Sequence, residues 1–239
     1  MSIARPPIEW VEHVSRGDAA AFHARQMPDE LTPTVWWFEV DRPAVVLGSA
    51  QPANHLDLDA CRKAGVEVVR RRSGGGAVLL EPDDVTWVDV LIPTIHHRWT
   101  NDVTTSAWWL GDVWRQTIAD LGVVDTAVHK GRMVTTAWSS RVCFAGIGGG
   151  EVVATSRRDS GDGGSVSKIV GISQRRTRSG ARFQCALYHR WRPEHHVRLF
   201  AAPAPLVADL RDVVTTVEAT SAEIRASFIN RLTSSRPAA

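Results

Sequence analysis

Val68-Val69-Arg70-Arg71-Arg72-Ser73-Gly74-Gly75-Gly76-Ala77-Val78-Leu79-Leu80 reads as a short apolar strand, a basic turn, a run of bare backbone and a second apolar strand. Three consecutive glycines leave backbone N–H groups uncovered, so the segment can approach a ligand closely and turn its amides toward an anion. The three arginines beside it supply charge and forked donors suited to phosphate or carboxylate. The same residues also fit a tight β-hairpin whose glycines only satisfy turn geometry. The segment by itself leaves both readings open.

Outward from this stretch the pattern is one of strands with occasional helices. Upstream, Ile8 to Gln26 mixes apolar and polar positions compatibly with an amphipathic helix ended by Pro28. The β-branched and aromatic run Val35 to Val40 is a strand, Asp41-Arg42-Pro43 a turn, and Ala44 to Gly48 the next strand, which predicts a hairpin. Asp57 caps a short helix stopped by Gly65, and Val66 to Val69 runs as a strand into the glycines, with Ala77 to Leu80 as its partner. Val85 to Ile92 is a further strand. A helix capped at Thr100 or Asn101 and running to Leu121 presents a wide apolar stripe, a core-packing feature whose edge can wall a ligand slot. Arg141 to Ile147, Glu151 to Thr155 and Arg182 to Trp191 read as strands. The polar, glycine-rich Ser156 to Ser165 reads as a mobile loop, and Leu206 to Leu232 as helical before a frayed tail. Helices and strands are segregated rather than alternating, which predicts an α+β domain with mostly antiparallel sheet flanked by helices. Residues 1–239 are expected to form one catalytic domain, with its core at about 30–200, a C-terminal helical segment at 205–232 and no large accessory domain.

The 239 residues suffice for a sizeable core, and 44% hydrophobic with 23% charged residues is ordinary for a globular chain. A net charge of +2 is too near neutral to argue for nucleic acid. Met1 to Trp10 lacks a signal pattern, no apolar run is long enough to span a bilayer, and the three cysteines are scattered without Cys-x-x-Cys. The expectation is a cytoplasmic protein with no nucleic-acid or membrane partner and no metal site built from its own side chains. His96-His97 and His195-His196 lack carboxylate or cysteine companions at ligand spacing and read as surface residues. Arg175-Arg176-Thr177-Arg178 reads as a solvated basic turn, suited also to an acidic partner.

Lys168 follows the loop directly and enters the apolar strand Ile169-Val170-Gly171-Ile172-Ser173-Gln174. A lysine there is either solvated at the strand mouth or pointed into a site with an anionic partner. Gly171 is a second point of close backbone approach.

Arg70-Arg71-Arg72-Ser73-Gly74-Gly75-Gly76-Ala77-Val78 resembles the Arg-Arg-x-Ser-Gly-Gly-Gly-Ala-Val signature of lipoate–protein ligases and related octanoyltransferases. Lys168 to Gln174 resembles the second signature of that family, and Leu47-Gly48-Ser49-Ala50-Gln51-Pro52 is similar to its earlier Gly-x-x-Gln loop. The three occur in the family's order across roughly Val35 to Trp191. The resemblance implies a biotin/lipoate ligase-like domain that uses ATP and Mg2+ to activate lipoate or octanoate as acyl-AMP. It also implies transfer of the acyl group to a lysine of a lipoyl carrier domain, on a 2-oxoacid dehydrogenase or the glycine cleavage H protein. By the same resemblance Lys168 is the catalytic contact, against the phosphate and the acyl carbonyl oxygen. Arg70, Arg71, Ser73, Gly74, Gly75, Gly76, Ala77 and Gly171 cradle the acyl-adenylate, with Arg71 on the phosphate side.

The chain departs from the family pattern in several places. Leu80 stands where a histidine often follows the glycines, and Asp83-Asp84 stands where ligases often have Gly-Asn. Gly149-Gly150-Glu151 occupies the place of an Asn-Asp, with Glu151 available as the acidic replacement. Two alternatives therefore accompany the ligase reading. One is an octanoyltransferase that takes the acyl group from acyl carrier protein onto a cysteine thiolate. Cys143 and Cys185 would be its candidates, although both lie in apolar strand contexts typical of inert packing, and Cys61 lies in a helix before the motif. The other is a non-catalytic homologue that only binds a lipoyl or adenylate ligand.

Overall fold

The computed structural model of the chain describes residues 9–155 and 166–234. The stretch read as a mobile loop, Ser156 to Ser165, and the tail beyond residue 234 lie outside the described residues. In chain order the elements are β1 (Val11–Gly17), α1 (Ala19–Ala24), β2 (Thr34–Val40), β3 (Ala44–Leu47), α2 (Leu58–Lys63), β4 (Glu67–Arg70), β5 (Val78–Leu80) and β6 (Val85–Pro93). They continue as α3 (Trp108–Asp120), β7 (Thr126–Val128), β8 (Val152–Ala154), β9 (Ser167–Arg176), β10 (Gly180–Tyr188), α4 (Pro193–Val197), α5 (Val207–Leu210) and α6 (Ser221–Ser234).

Seven strands form one sheet in the order β1-β2-β6-β10-β9-β8-β7, and three form a second in the order β4-β3-β5. Only β1 with β2 and β3 with β4 pair in parallel; the other pairings are antiparallel. This is the α+β architecture expected.

The layering follows from the two-residue period of strands. In β2, Val35 and Trp37 turn to one face, where they pack with Leu110, Val113 and Trp114 of α3 and Ile224 and Phe228 of α6. Trp36 and Phe38 turn to the other face and meet α1 and the small sheet through Phe22, Ala44, Val46 and Leu80. In β3, Val46 faces the large sheet while Val45 and Leu47 face away, toward Leu56, Cys61 and Leu210. The small sheet is thus sandwiched, which explains why β3 is buried at every position.

Several local expectations give way to tertiary structure. The segment read as one helix from Ile8 is an edge strand followed by the six-residue α1, capped by Asp18 Oδ1 accepting from the Ala21 N–H at 2.7 Å. The turn at Asp41-Arg42-Pro43 is present, but β2 and β3 are not a hairpin: the corner carries the chain from one sheet to the other. Nor does β4 pair with β5, because both pair with β3 from opposite sides. The hairpin reading of the glycine stretch falls with it.

Helix α3 starts at Trp108 rather than Thr100, because Asp102 accepts from the Thr104 N–H (2.8 Å) and the Thr105 hydroxyl (2.9 Å). Such local bonds hold the chain in turns. Arg141 to Ile147 is a 3-10 turn at Cys143–Ala145, not a strand. The helical reading of Leu206 to Leu232 is interrupted between α5 and α6, where Val214 bridges to Lys168. His96 (3% exposed) and His196 (4%) are buried, which corrects their surface reading; an edge-on contact with Trp10 and a tilted one with Trp191 help to cover them.

Candidate active site

Three sequence segments meet beside the small sheet. Arg71 donates its backbone N–H to the Leu47 carbonyl (2.9 Å), and Ser49 donates to the Ser73 carbonyl (2.9 Å), so the glycine stretch lies along the Gly48 loop. The approach is so close that a Cβ on Gly48 would overlap the Gly75 carbonyl, while Gly75 holds a left-handed φ of +99°. Gly76 packs backbone-to-backbone on Arg141 to Cys143, where the Ala77 N–H donates to the Arg141 carbonyl (2.7 Å) and the Cys143 N–H to the Ala77 carbonyl (2.9 Å). Gly74 has open space on its side-chain face.

The arginines brace this architecture. Arg70 NH1 donates to the carbonyls of Gly48 (2.8 Å) and Gln51 (2.6 Å). Arg71, 4% exposed, spends Nε and NH2 on Gly74 (3.3 and 2.7 Å), NH1 on Val46 (3.1 Å) and NH2 again on Gly76 (2.8 Å). Its guanidinium also passes 3.9 Å from the Cys143 sulfur. Gln51 fastens the same corner, accepting from the Gly48 N–H (3.2 Å) and donating to the Arg141 carbonyl (3.0 Å).

Lys168 enters from β9 and is not solvated; it is 1% exposed. Its Nζ donates to Glu151 Oε2 at 2.7 Å and to the Cys143 carbonyl at 2.9 Å, and sits 5.1 Å above the Phe144 ring. Glu151 is itself held by the N–H groups of Gly148 (2.6 Å) and Ile172 (3.1 Å). A buried ion pair is tolerable when its remaining lone pairs are satisfied in this way. Gly171 passes beneath Phe144 and the Lys168 side chain, where a Cβ would crowd the ring at 3.1 Å. The two main motifs touch directly, since Ser73 Oγ and Ser173 Oγ lie 3.0 Å apart.

Between them runs a narrow slot of about 40 Å³. Val46, Val78, Leu80, Phe144, Ile172 and Ala186 give it an apolar wall, and Arg71, Cys143, His23 and Gln184 also border it. Its volume is little more than one water molecule's share of the liquid, so a chain of several carbons enters only if lining side chains move.

Below the slot lies a buried polar network. Asp89 receives Arg182 Nε (2.5 Å) and Trp87 Nε1 (2.8 Å), and Arg182 also holds the carbonyls of Arg25 and Phe22 on α1. Burial pushes the Asp89 carboxyl up, against the pull of Arg182. Burial likewise raises the Cys185 thiol, which is 1% exposed, whereas Cys143 is partly exposed at the slot.

Every predicted site residue, Arg70, Arg71, Ser73 to Ala77, Lys168 and Gly171, falls in this one region. Sequence reasoning missed His23, Trp87, Phe144 and Gln184. Polar residues inside apolar strands, Asp89, Arg182 and Gln184, were the available signal for the network. His23 gave none, because its segment was read as one long helix.

The fold and the site together define an enzyme class: residues 19–230 match the family model described as the lipoyl protein ligase A/B catalytic domain. The chain belongs to this family. Among solved structures it is similar to a bi-partite lipoate protein ligase from Thermoplasma acidophilum (17% identity, TM-score 0.65, 94% of this chain and 81% of that one). It is also similar to a lipoate-protein ligase A bound with ATP (16%, 0.66, 94% and 83%) and to P. falciparum LipL1 in complex with lipoate (11%, 0.64, 94% and 62%). No curated protein matches the chain in sequence. No helix among the described residues is long and apolar enough to cross a membrane.

Proposed function

We propose that this chain activates lipoate or a related acyl acid with ATP as acyl-AMP and then transfers the acyl group to a lysine of a lipoyl carrier domain. The observation that carries the reading is the buried Lys168 ammonium, set on the carbonyl of Cys143 and over the ring of Phe144, two residues that border the apolar slot. In the first step an acid carboxylate oxygen bonds to the α-phosphorus of ATP and pyrophosphate leaves. Two anions must be brought together, so a fixed cation in a partly dry site favours both the approach and the charge of the transition state. Of the three N–H donors on Lys168, Glu151 and Cys143 take two, leaving one for a ligand oxygen. Gly74 and Gly75 are exposed, so their amides are available to an anionic ligand, and Arg70 and Arg71 brace the two loops through the carbonyls of Gly48 and Gly74. In the second step the neutral amine of the carrier lysine bonds to the acyl carbonyl carbon and AMP leaves. The carrier is proposed to be the lipoyl domain of a 2-oxoacid dehydrogenase or the glycine cleavage H protein.

Magnesium is the family's companion to ATP. Among the described residues no group of three or more His, Cys, Asp or Glu is placed to hold a metal ion, and Glu151 is committed to Lys168 and two amides. The described residues offer no protein-built cage for it.

Incubation with ATP and lipoic or octanoic acid, followed by mass spectrometry, is expected to yield acyl-AMP; its absence overturns the ligase reading. A second reading has its own observation: the Cys143 sulfur borders the slot beside Arg71. There a thiolate would take the acyl group from an acyl carrier thioester, releasing the carrier thiol, and pass it to the acceptor amine. In that case transfer needs no ATP and is abolished in Cys143→Ala.

A further inference from the structure

The slot contains a polar station that acyl activation does not use. His23, at 8% exposed, comes from α1 and lies flat on Trp87, with ring centroids 4.4 Å apart and planes 24° from parallel. Both rings border the slot. His23 Nδ1 is 3.3 Å from Gln184 Nε2, and His23 Nε2 is buried with no partner among the described residues.

The network assigns the protons. Gln184 Oε1 accepts from the Ser73 hydroxyl at 2.8 Å, and its nitrogen faces the Asp89 carboxylate at 3.5 Å. The amide nitrogen therefore donates to His23 Nδ1, which leaves the hydrogen of the neutral ring on Nε2. Burial, aided by Arg182 and Arg71, lowers the imidazole pKa to about 3, so the ring is neutral near pH 7. The result is an uncharged donor held in place at the slot with nothing to receive its hydrogen.

Its position is the far end. Ser173 pairs with Gln184, and Gly171 with Ala186, along β9 and β10. The Gly171 level touches Phe144 and Lys168, whereas the Gln184 level touches His23; two residues of strand separate them by about 6.6 Å. An acid with its carboxylate end near Lys168 would present its tail to His23. Leu80, which stands where the family pattern often has a histidine, also borders the slot, so here an imidazole reaches the cavity from a different element.

We propose that His23 is a specificity-determining residue whose Nε2–H donates to an acceptor atom on the tail of the acyl chain. The slot then favours medium-chain carboxylic acids with an oxygen or sulfur near the distal end over the plain alkyl acid of equal length. The inference rests on the acyl-slot reading above. A buried donor that a ligand leaves unpaired weakens that ligand selectively.

Isothermal calorimetry on the full chain with octanoate, ω-hydroxyoctanoate and lipoate tests it. The wild-type protein is expected to bind ω-hydroxyoctanoate about tenfold more tightly than octanoate, with lipoate between them because sulfur is the weaker acceptor. His23→Phe keeps a flat ring on Trp87 and is expected to level the three affinities by weakening the acceptor-bearing acids. His23→Gln, which restores a donor, is expected to recover part of the preference. Octanoate binding as tightly as ω-hydroxyoctanoate, or a preference that persists in His23→Phe, overturns the inference and leaves the acyl slot standing. Failure of the wild-type protein to bind any of the three acids sinks the acyl-slot reading itself and the inference with it. Should His23→Phe fail to fold, the wild-type ratio alone decides.

Discussion

Lys168 and Glu151 form a pair that neither residue can leave cheaply. The lysine is 1% exposed and the glutamate 3%, so removing one charge leaves the other buried and uncompensated. Breaking such a pair costs about 3–5 kcal/mol, whereas removing both charges together is often close to neutral. Glu151→Gln and Lys168→Met are each expected to lower the urea midpoint strongly, and the double variant to be more stable than either single one. Strictly additive losses in a double-mutant cycle would show that the two charges are not coupled. Lys168→Met is also expected to cut acyl-AMP formation by about 10²-fold or more, the scale of a lost electrostatic contact in a transition state. The cysteines separate by exposure in the same manner. Cys143 is partly exposed at the slot while Cys61 and Cys185 are buried, so an alkylating reagent is expected to label Cys143 first, as read by peptide mass mapping. Nothing in the sequence distinguished Cys143 from Cys185, because each sits among apolar neighbours; both border the slot, and the turn at Cys143–Ala145 leaves Cys143 alone of the two partly exposed.

At the scale of the element, the glycines of the two facing loops have different duties. Gly48 and Gly76 lie against neighbouring backbone that a Cβ would overlap, and Gly74 faces open space. Gly48→Ala and Gly76→Ala are therefore expected to destabilise the protein by about 1–3 kcal/mol, the usual cost of overpacking, with Gly74→Ala within about 0.5 kcal/mol of wild type. Chemical denaturation of the three variants checks this; equal losses at all three would mean that the loop relaxes freely. The stretch was legible as a special backbone because triple glycine between apolar strands has few other uses. Its partners were not. Strand identity follows from β-branched and aromatic runs, but which strand pairs with which depends on burial of both faces. That is why β3, apolar at every position, joins a separate sheet between β4 and β5 rather than folding back on β2. The edge strand β1 escaped notice for the opposite reason: its exposed Val11 and Val14 break the alternation that marks a half-buried strand.

Across the whole molecule, β9 and β10 continue the sheet from β6 and bring the second motif against the first, where Ser173 meets Ser73, a contact that the order of the motifs in the chain does not by itself fix. Buried histidines were beyond reach of the sequence, since a lone histidine looks alike on a surface and beneath a tryptophan. They are expected to contribute to how the fold responds to acid. Burial lowers His23 to about 3 and both His96 and His196 to about 4. His96 Nδ1 accepts the Arg98 N–H at 3.2 Å, a bond that only an unprotonated nitrogen makes, and the His196 ring packs tilted against Trp191 with centroids 4.2 Å apart. An unfolded histidine titrates near 6.5, so below that pH the unfolded chain takes up protons that the folded chain refuses. Unfolding then binds protons, and stability falls as pH falls. Each histidine that stays neutral contributes about 1.4 kcal/mol per pH unit until the folded value is reached, after which its share of the loss stops growing. The thermal midpoint is accordingly expected to drop steadily from pH 6.5 to about pH 4. In His96→Gln, which removes one of the three groups, the slope of stability against pH should be smaller by close to one proton, whatever the substitution does to stability at pH 7. A midpoint that stays level between pH 6.5 and pH 5 would mean that these imidazoles are reached by protons in the folded protein.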